Sequence, residues 1–157
     1  MVKYIKGNLL DSDCDYICHQ VNCQGVMNSG IAKQIRERWP EVYDEYRDRY
    51  EDCIKFGPTN VMLGSIDVVR LKNSPQTVIN MYSQFGYGYN GNRYTSYDAF
   101  IEALEEIKLE VLSGYTIGFP KNIGCCRGGA NWKIISTMIE EVLGKDYDVY
   151  IYELEVK

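Results

Sequence analysis

Two loops rich in glycine carry the residues best suited to chemistry. The first reads Asn22-Cys23-Gln24-Gly25-Val26-Met27-Asn28-Ser29-Gly30-Ile31-Ala32, and the second reads Pro120-Lys121-Asn122-Ile123-Gly124-Cys125-Cys126-Arg127-Gly128-Gly129-Ala130-Asn131-Trp132. Glycine lets a ligand come close to backbone N–H groups, and a helix that starts behind such a loop adds the positive end of its dipole. Two such loops side by side make a cradle for a diphosphate. Arg127 fits there either as a phosphate partner or as an exposed loop arginine.

Just ahead of the first loop, His19 precedes Asn22 by three positions. An imidazole in that place can take a proton from water or give one to a leaving oxygen. It also fits a strand histidine satisfied by a backbone carbonyl. Alternation along a strand puts Gln20, not His19, on the face of Asn22, so both reach one ligand only if the strand end twists or bulges. Asn22 suits the positioning of a hydroxyl or a water, and its plainer role is to form a turn. Cys23, Cys125 and Cys126 would need a base partner to act as nucleophiles, and the single histidine is a poor one. Cys125 is expected to pack under its loop.

Composition narrows the ligand. Formal net charge is −5, which argues against a nucleic-acid polymer as partner, since basic surface supplies most of that affinity. A small anion held by backbone amides remains compatible with it. The six cysteines read as reduced thiols of a cytoplasmic protein. With no Cys-x-x-Cys pair and a single histidine, no metal site is expected. Asp11, Asp13 and Asp15 lack the rest of a calcium loop and read as a solvated turn. No apolar run approaches the ~20 residues needed to cross a bilayer. A soluble single domain over residues 1–157 is the expectation.

Strand and helix patterns alternate along the chain. Residues 1–6, 15–21, 60–71, 77–83, 115–119 and 147–154 read as strands, with residues 60–71 and 77–83 able to pair as a hairpin. Residues 31–39, 41–52, 96–111 and 132–143 read as helices. This order implies a three-layer α/β/α sandwich around a mixed, largely parallel sheet. Ligands bind such sheets beyond the carboxyl ends of the strands. The site is therefore expected at residues 7–10, 22–31, 83–89 and 123–131. Tyr82, Phe85, Tyr87 and Tyr89 are available to stack on a ring, Phe85 and Tyr87 foremost.

Lys6-Gly7-Asn8-Leu9, then His19-Gln20-Val21-Asn22-Cys23-Gln24-Gly25 with Ser29-Gly30-Ile31-Ala32, then Ile123-Gly124-Cys125 with Gly128-Gly129-Ala130-Asn131-Trp132, resemble in order and spacing a macro domain. The resemblance covers residues 3–154. It is closest to the small branch that holds the ADP-ribose-1″-phosphate phosphatase, phage relatives and the glutamate-deADP-ribosylating macro domains. It implies that Asn8 and Leu9 hold adenine and that the amides of Gly30 and Ile31, with those of the second loop, hold the diphosphate. Asn22 would meet the distal ribose, and His19 stands in the register of the phosphatase's histidine. Gln20, Gly25, Asn28, Ser29, Ser83, Gln84, Phe85, Gly124, Cys125, Arg127, Gly128, Gly129, Ala130 and Asn131 would complete the contacts.

Three departures go with the resemblance. Asn8 replaces the usual adenine-reading Asp. The lysine near Gln84 and the aspartate near Gly128 that serve the glutamate-deADP-ribosylating branch are missing, so a covalent lysine mechanism is not implied. Asn131 stands where relatives often carry Asp. The implied function is nucleotide binding, of ADP-ribose or a derivative, with hydrolysis at the distal ribose by a phosphatase or an ADP-ribosyl hydrolase. A non-catalytic ADP-ribose or nucleotide reader stays open. No cofactor is implied, and the partner would be the small molecule itself or an ADP-ribosylated macromolecule.

Overall fold

In the computed structural model, which describes residues 1–88 and 90–155, six strands form one sheet in the order β1-β6-β5-β2-β4-β3. Tyr89, one of the expected stacking residues, and positions 156 and 157 at the end of the expected domain lie outside the described residues. The strands are β1 (Val2–Lys6), β2 (Tyr16–Val21), β3 (Ile66–Arg70), β4 (Thr77–Tyr82), β5 (Thr116–Pro120) and β6 (Asp148–Glu153). All neighbours pair in parallel except β3 and β4, which form the antiparallel hairpin.

Four helices connect them: α1 (Gly30–Arg38), α2 (Pro40–Phe56), α3 (Tyr97–Glu110) and α4 (Trp132–Leu143). Strand alternation divides the core between two faces. Ile17, Val21, Val78 and Tyr82 pack with Ile35, Val42 and Tyr46 of α1 and α2. Cys18, Ile79, Met81, Ile117 and Phe119 pack with Phe100, Leu104, Ile107, Ile135 and Ile139 of α3 and α4. Burying each large apolar side chain contributes about 1.5–3 kcal/mol, so this two-sided burial holds the sheet between its helix pairs. The result is the α/β/α sandwich with a mixed, largely parallel sheet.

Local chemistry sets the boundaries. Ser96 accepts from the Ala99 amide and starts α3, and Asn131 accepts from the Lys133 amide and starts α4. Pro40 opens α2 at its first turn, where a missing N–H costs nothing. One expected strand is shorter than its pattern suggested. Within residues 60–71 only Ile66–Arg70 is strand, because Thr59–Met62 forms a 3-10 turn and Gly64 takes φ +87°.

Candidate functional site

A cleft of about 590 Å³ opens where the carboxyl ends of the strands meet the two glycine loops. Its lining follows the strand order. Asn8, Leu9, Tyr152, Glu153 and Leu154 come from the ends of β1 and β6, and Pro120 to Gly124 with Cys126, Arg127 and Gly128 come from the end of β5. Gln20, Val21, Asn22 and residues 26–32 follow β2, and Gln84 and Tyr87 follow β4. From β1 to β4 is four strand spacings, or ~19 Å at about 4.8 Å each. A cleft of that span fits an extended ligand with a ring system at each end.

The first loop leads into α1. Ser29 at its N-cap makes no side-chain capping bond, and Gly30, Ile31 and Ala32 line the cleft. The first four N–H groups of a helix have no intrahelical partner, so this turn presents donors and positive dipole to an anion. The second loop carries Lys121 and Arg127 and no acidic residue. The rim is thus locally basic in an acidic chain. Lys121 lies 3.2 Å from Glu153 and holds that carboxyl below its usual range.

A polar seam fastens the second loop to the sheet. Ser83 Oγ donates to Gln20 Oε1 at 2.7 Å, and Gln20 Nε2 lies 2.5 Å from Gln84 Oε1 and 2.9 Å from Thr95 Oγ1. Thr95 Oγ1 donates in turn to the Gly124 carbonyl at 2.8 Å. Gly128 settles against this seam. A Cβ there would lie 2.1 Å from Thr95 Oγ1 and 2.4 Å from the Gly124 carbonyl oxygen.

At the opposite end Asn8 caps the 3-10 turn Leu9–Asp11, its Oδ1 accepting from the Leu10 amide at 3.0 Å. A backbone N–H can only donate, which fixes the amide with its oxygen inward. Leu9 packs over β5, where Gly118 leaves room; a Cβ on Gly118 would fall 2.6 Å from Leu9 Cδ1.

Asn22 is also committed within the protein. Its Oδ1 accepts from the Gln24 amide at 2.9 Å and from the Tyr46 hydroxyl at 2.7 Å, and its Nδ2 donates to the Val26 carbonyl at 3.1 Å. This is the turn-forming role, yet one N–H of the amide remains and the residue lines the cleft.

The structure places His19 apart from the cleft. It lies on the face turned toward α2, fully buried, and does not line the cleft. Its Nε2 is 2.5 Å from Asn80 Oδ1, while Asn80 Nδ2 donates to Asp67 Oδ2 at 3.1 Å. Because that carboxylate only accepts, Asn80 Oδ1 must be an acceptor, and His19 carries its proton on Nε2. Its Nδ1 has no partner among the described residues. With nothing to solvate a second proton, burial pulls the imidazole down to about 4. No bulge brings it round; Gln20 and Asn22 both line the cleft, although Asn22, one residue past the end of β2, turns its amide oxygen to Tyr46 of α2.

Of the expected contacts, the cleft brings together Asn8, Leu9, Gln20, Asn22, Asn28, Ser29, Gly30, Ile31, Gln84, Gly124, Arg127 and Gly128. Others turn away from it. Gly25 donates its amide to Tyr46 and gives its carbonyl to Arg47. Ser83 is buried in the seam, Phe85 stands exposed outside the lining, and Tyr87 lines the cleft. Cys125 packs beneath its loop, its thiol pushed up to about 11 by burial. Gly129 approaches the backbone of Asn92 and Arg93, Ala130 is buried with its amide on the Gly124 carbonyl, and Asn131 caps α4.

Sequence reasoning put Lys121 and Asn122 in the second loop but not among the contacts, and it missed Tyr152, Glu153 and Leu154. The rule that ligands sit past strand ends could have pointed to the end of β6, but that strand lacks the glycine loop that marks β2 and β5. Among the described residues no group of His, Cys, Asp and Glu is placed to hold a metal ion. All six cysteines are free thiols. No helix among the described residues is long and apolar enough to cross a membrane.

No family model matches the chain. Individual proteins do. Over 151 residues it is 30% identical to an uncharacterized 17.5 kDa protein of the tk-vs intergenic region of Enterobacteria phage T4, covering 92% of each chain. It is 29% identical over 159 residues to the DNA ADP-ribosyl glycohydrolase of Mycobacterium tuberculosis, where 97% of this chain spans 42% of that protein. The chain therefore matches less than half the length of that relative. With the ADP-ribose 1″-phosphate phosphatase of Saccharomyces cerevisiae it shares 27% identity over 179 residues, covering 98% of both. Among solved structures, the macrodomain of Mycobacterium tuberculosis DarG superposes with a TM-score of 0.79 at 24% identity, covering 97% of both chains. The sheet order, the two loops that frame the cleft and these relatives lead to one conclusion: the chain has the macrodomain fold.

Proposed function

We propose that the cleft binds ADP-ribose or a derivative of it and hydrolyses the ligand at its distal ribose. The observation that carries this reading is the order of groups across the strand ends. A slot of Leu9, Tyr152 and Leu154 edged by Asn8 takes the base. The uncapped first turn of α1 and the basic second loop take the diphosphate. The amides of Asn22, Gln20 and Gln84 gather where the distal ribose would lie. The relatives named as an ADP-ribosyl glycohydrolase and an ADP-ribose 1″-phosphate phosphatase support the same reading.

Carboxamides do not transfer protons at neutral pH, and His19 is sealed away from the cleft. The residues at the reaction end therefore act by orientation, holding the ribose and a water in line, rather than by acid–base exchange. Of the two chemistries, loss of a substituent from the anomeric carbon asks less of a general base, because an oxocarbenium-like transition state needs only modest push from water.

A second reading, a reader that binds without turnover, is favoured by that same set of amides. Incubation with ADP-ribose 1″-phosphate and with ADP-ribosylated DNA and protein separates the two. Phosphate release or loss of the adduct, abolished by Asn22→Ala, supports the enzyme. Binding seen by calorimetry without either product supports the reader. No thermal shift with ADP-ribose up to millimolar concentration overturns both.

A further inference from the structure

Tyr46 does not line the cleft, yet its hydroxyl sits at the centre of the first loop. The residue comes from α2 and is fully buried. Its oxygen lies 2.7 Å from Asn22 Oδ1, 2.9 Å from the Asn22 carbonyl oxygen and 3.1 Å from the Gly25 amide nitrogen. A phenol has one proton to give. The shortest contact assigns it to Asn22 Oδ1, and the Gly25 N–H donates into the phenol's lone pair. One buried atom thus ties the side chain of Asn22 to the backbone three residues on.

The ring has no freedom to drift. It stacks on Tyr82 with centroids 5.8 Å apart and planes at 22°. Tyr82 is itself held, its hydroxyl donating to Asp67 Oδ2 at 2.7 Å, with the Arg49 guanidinium 4.6 Å over its ring. Asp67 also binds Arg49 Nη1 at 2.8 Å. The anchor for the loop is therefore an ion pair of the buried Asp67 on β3 with the half-buried Arg49 on α2, passed through two stacked tyrosines.

The amide of Asn22 is oriented without ambiguity. The Gln24 N–H must meet its oxygen and the Val26 carbonyl must meet its nitrogen. Of its four hydrogen-bonding positions, two acceptor sites and one N–H are used inside the protein, which leaves a single N–H for a ligand. An N–H held by three internal bonds loses little freedom when it binds, and that is what preorganisation means at a site.

We infer that Tyr46 is the positioning residue that aims this remaining Asn22 N–H at the distal ribose. The inference rests on the functional reading above, and it predicts a signature that a general packing role does not. Without the hydroxyl, the Gly25 N–H loses its acceptor and Asn22 Oδ1 keeps only the Gln24 amide, so the loop relaxes and the aim is lost. The other end of the cleft, built on β1, β5 and β6, is untouched.

The test is calorimetry with ADP-ribose and with ADP, which lacks the distal ribose, on the wild type, Tyr46→Phe, Asn22→Ala and the double variant. Tyr46→Phe is expected to weaken ADP-ribose about tenfold and to leave ADP within twofold. In the double variant the loss should be no greater than in Asn22→Ala alone, since Tyr46 acts through Asn22. Equal weakening of both ligands, or losses that add in the double variant, overturns the inference. If Tyr46→Phe does not fold, the side-chain amide resonance of Asn22 in the wild type answers instead. A shift with ADP-ribose and none with ADP supports the inference, and no shift with either overturns it. A wild type that binds ADP-ribose no more tightly than ADP overturns the functional reading itself, whereas a wild type that discriminates and a Tyr46→Phe that still does so overturns only the role of Tyr46.

Discussion

The buried state of His19 makes a prediction that bears on both stability and mechanism. It is the chain's single histidine, so its titration can be isolated. Burial lowers its pKa from the usual 6.5 to about 4 in the folded protein. Above about pH 7 the imidazole is neutral in both states and contributes nothing to pH dependence. As pH falls through 6.5 the unfolded chain binds a proton that the folded chain refuses, so stability falls, and it levels off below the folded pKa. At about 1.4 kcal/mol per pH unit between the two pKa values the full loss is about 3 kcal/mol, of which about 2 kcal/mol falls between pH 7 and pH 5. For a domain of this size that corresponds to roughly 4–8 °C in melting temperature. His19→Asn keeps an N–H for Asn80 Oδ1 but cannot titrate. Its melting temperature should fall less than that of the wild type between pH 7 and pH 5, by that amount, whatever the two values at pH 7. Its affinity for ADP-ribose should stay within twofold, because the residue does not reach the cleft. Thermal melts across this pH range provide the measurement. Parallel curves for the two proteins refute the argument from burial. Loss of turnover in a folded His19→Asn would instead support the catalytic histidine that the sequence suggests.

Three further outcomes are expected. Gly128→Ala places a methyl 2.1 Å from Thr95 Oγ1 and 2.4 Å from the Gly124 carbonyl oxygen, so the second loop must shift; stability should fall by about 1–3 kcal/mol and ADP-ribose affinity by about tenfold or more, read by melting and calorimetry. Asp67→Ala removes the carboxylate from Arg49 and the acceptor from Asn80 and Tyr82; leaving these two buried donors unpaired should cost about 1–3 kcal/mol each in urea unfolding. Among the thiols, Cys126 is exposed at the cleft, whereas Cys14, Cys18 and Cys23 are buried and pushed up by desolvation, Cys23 to about 12; mass spectrometry after mild alkylation at pH 8 should find Cys126 modified first, and ADP-ribose should protect it.

Much of the architecture was legible in the chain because local rules and tertiary packing agree. The repeat of Ile135, Ile139 and Leu143 places one face of α4 in the core, and Ser96 and Asn131 mark their helix starts by capping chemistry that needs no tertiary partner. The strand–loop–helix order around residues 22–32 and 123–132 was enough to bring both glycine loops to one sheet edge, since a parallel sheet leaves them nowhere else to go. Strand 60–71 was read too long because the apolar positions of a 3-10 turn and of a strand look alike over a few residues, and only the turn at Gly64 separates them.

The chemistry of single side chains was decided elsewhere. Residue types at positions 19 and 22 suggested a histidine and an asparagine working together, and alternation alone already set them on opposite faces. Whether the strand would bulge depended on what lay behind it. Asn80, Asp67 and Arg49, from β4, β3 and α2, offer His19 a buried partner and hold it there. Likewise nothing near Asn22 in the chain announces Tyr46, which lies on another element and fixes its amide through a hydroxyl. Glu153 and Lys121 meet at the cleft only because β6 sits between β1 and β5. Periodicity and capping are properties of neighbours in sequence, and so the chain alone determined its layers, its two loops and the sheet edge where the cleft opens. Orientation, burial and proton affinity are properties of neighbours in space, and only the tertiary structure decided which of the candidate groups face the cleft.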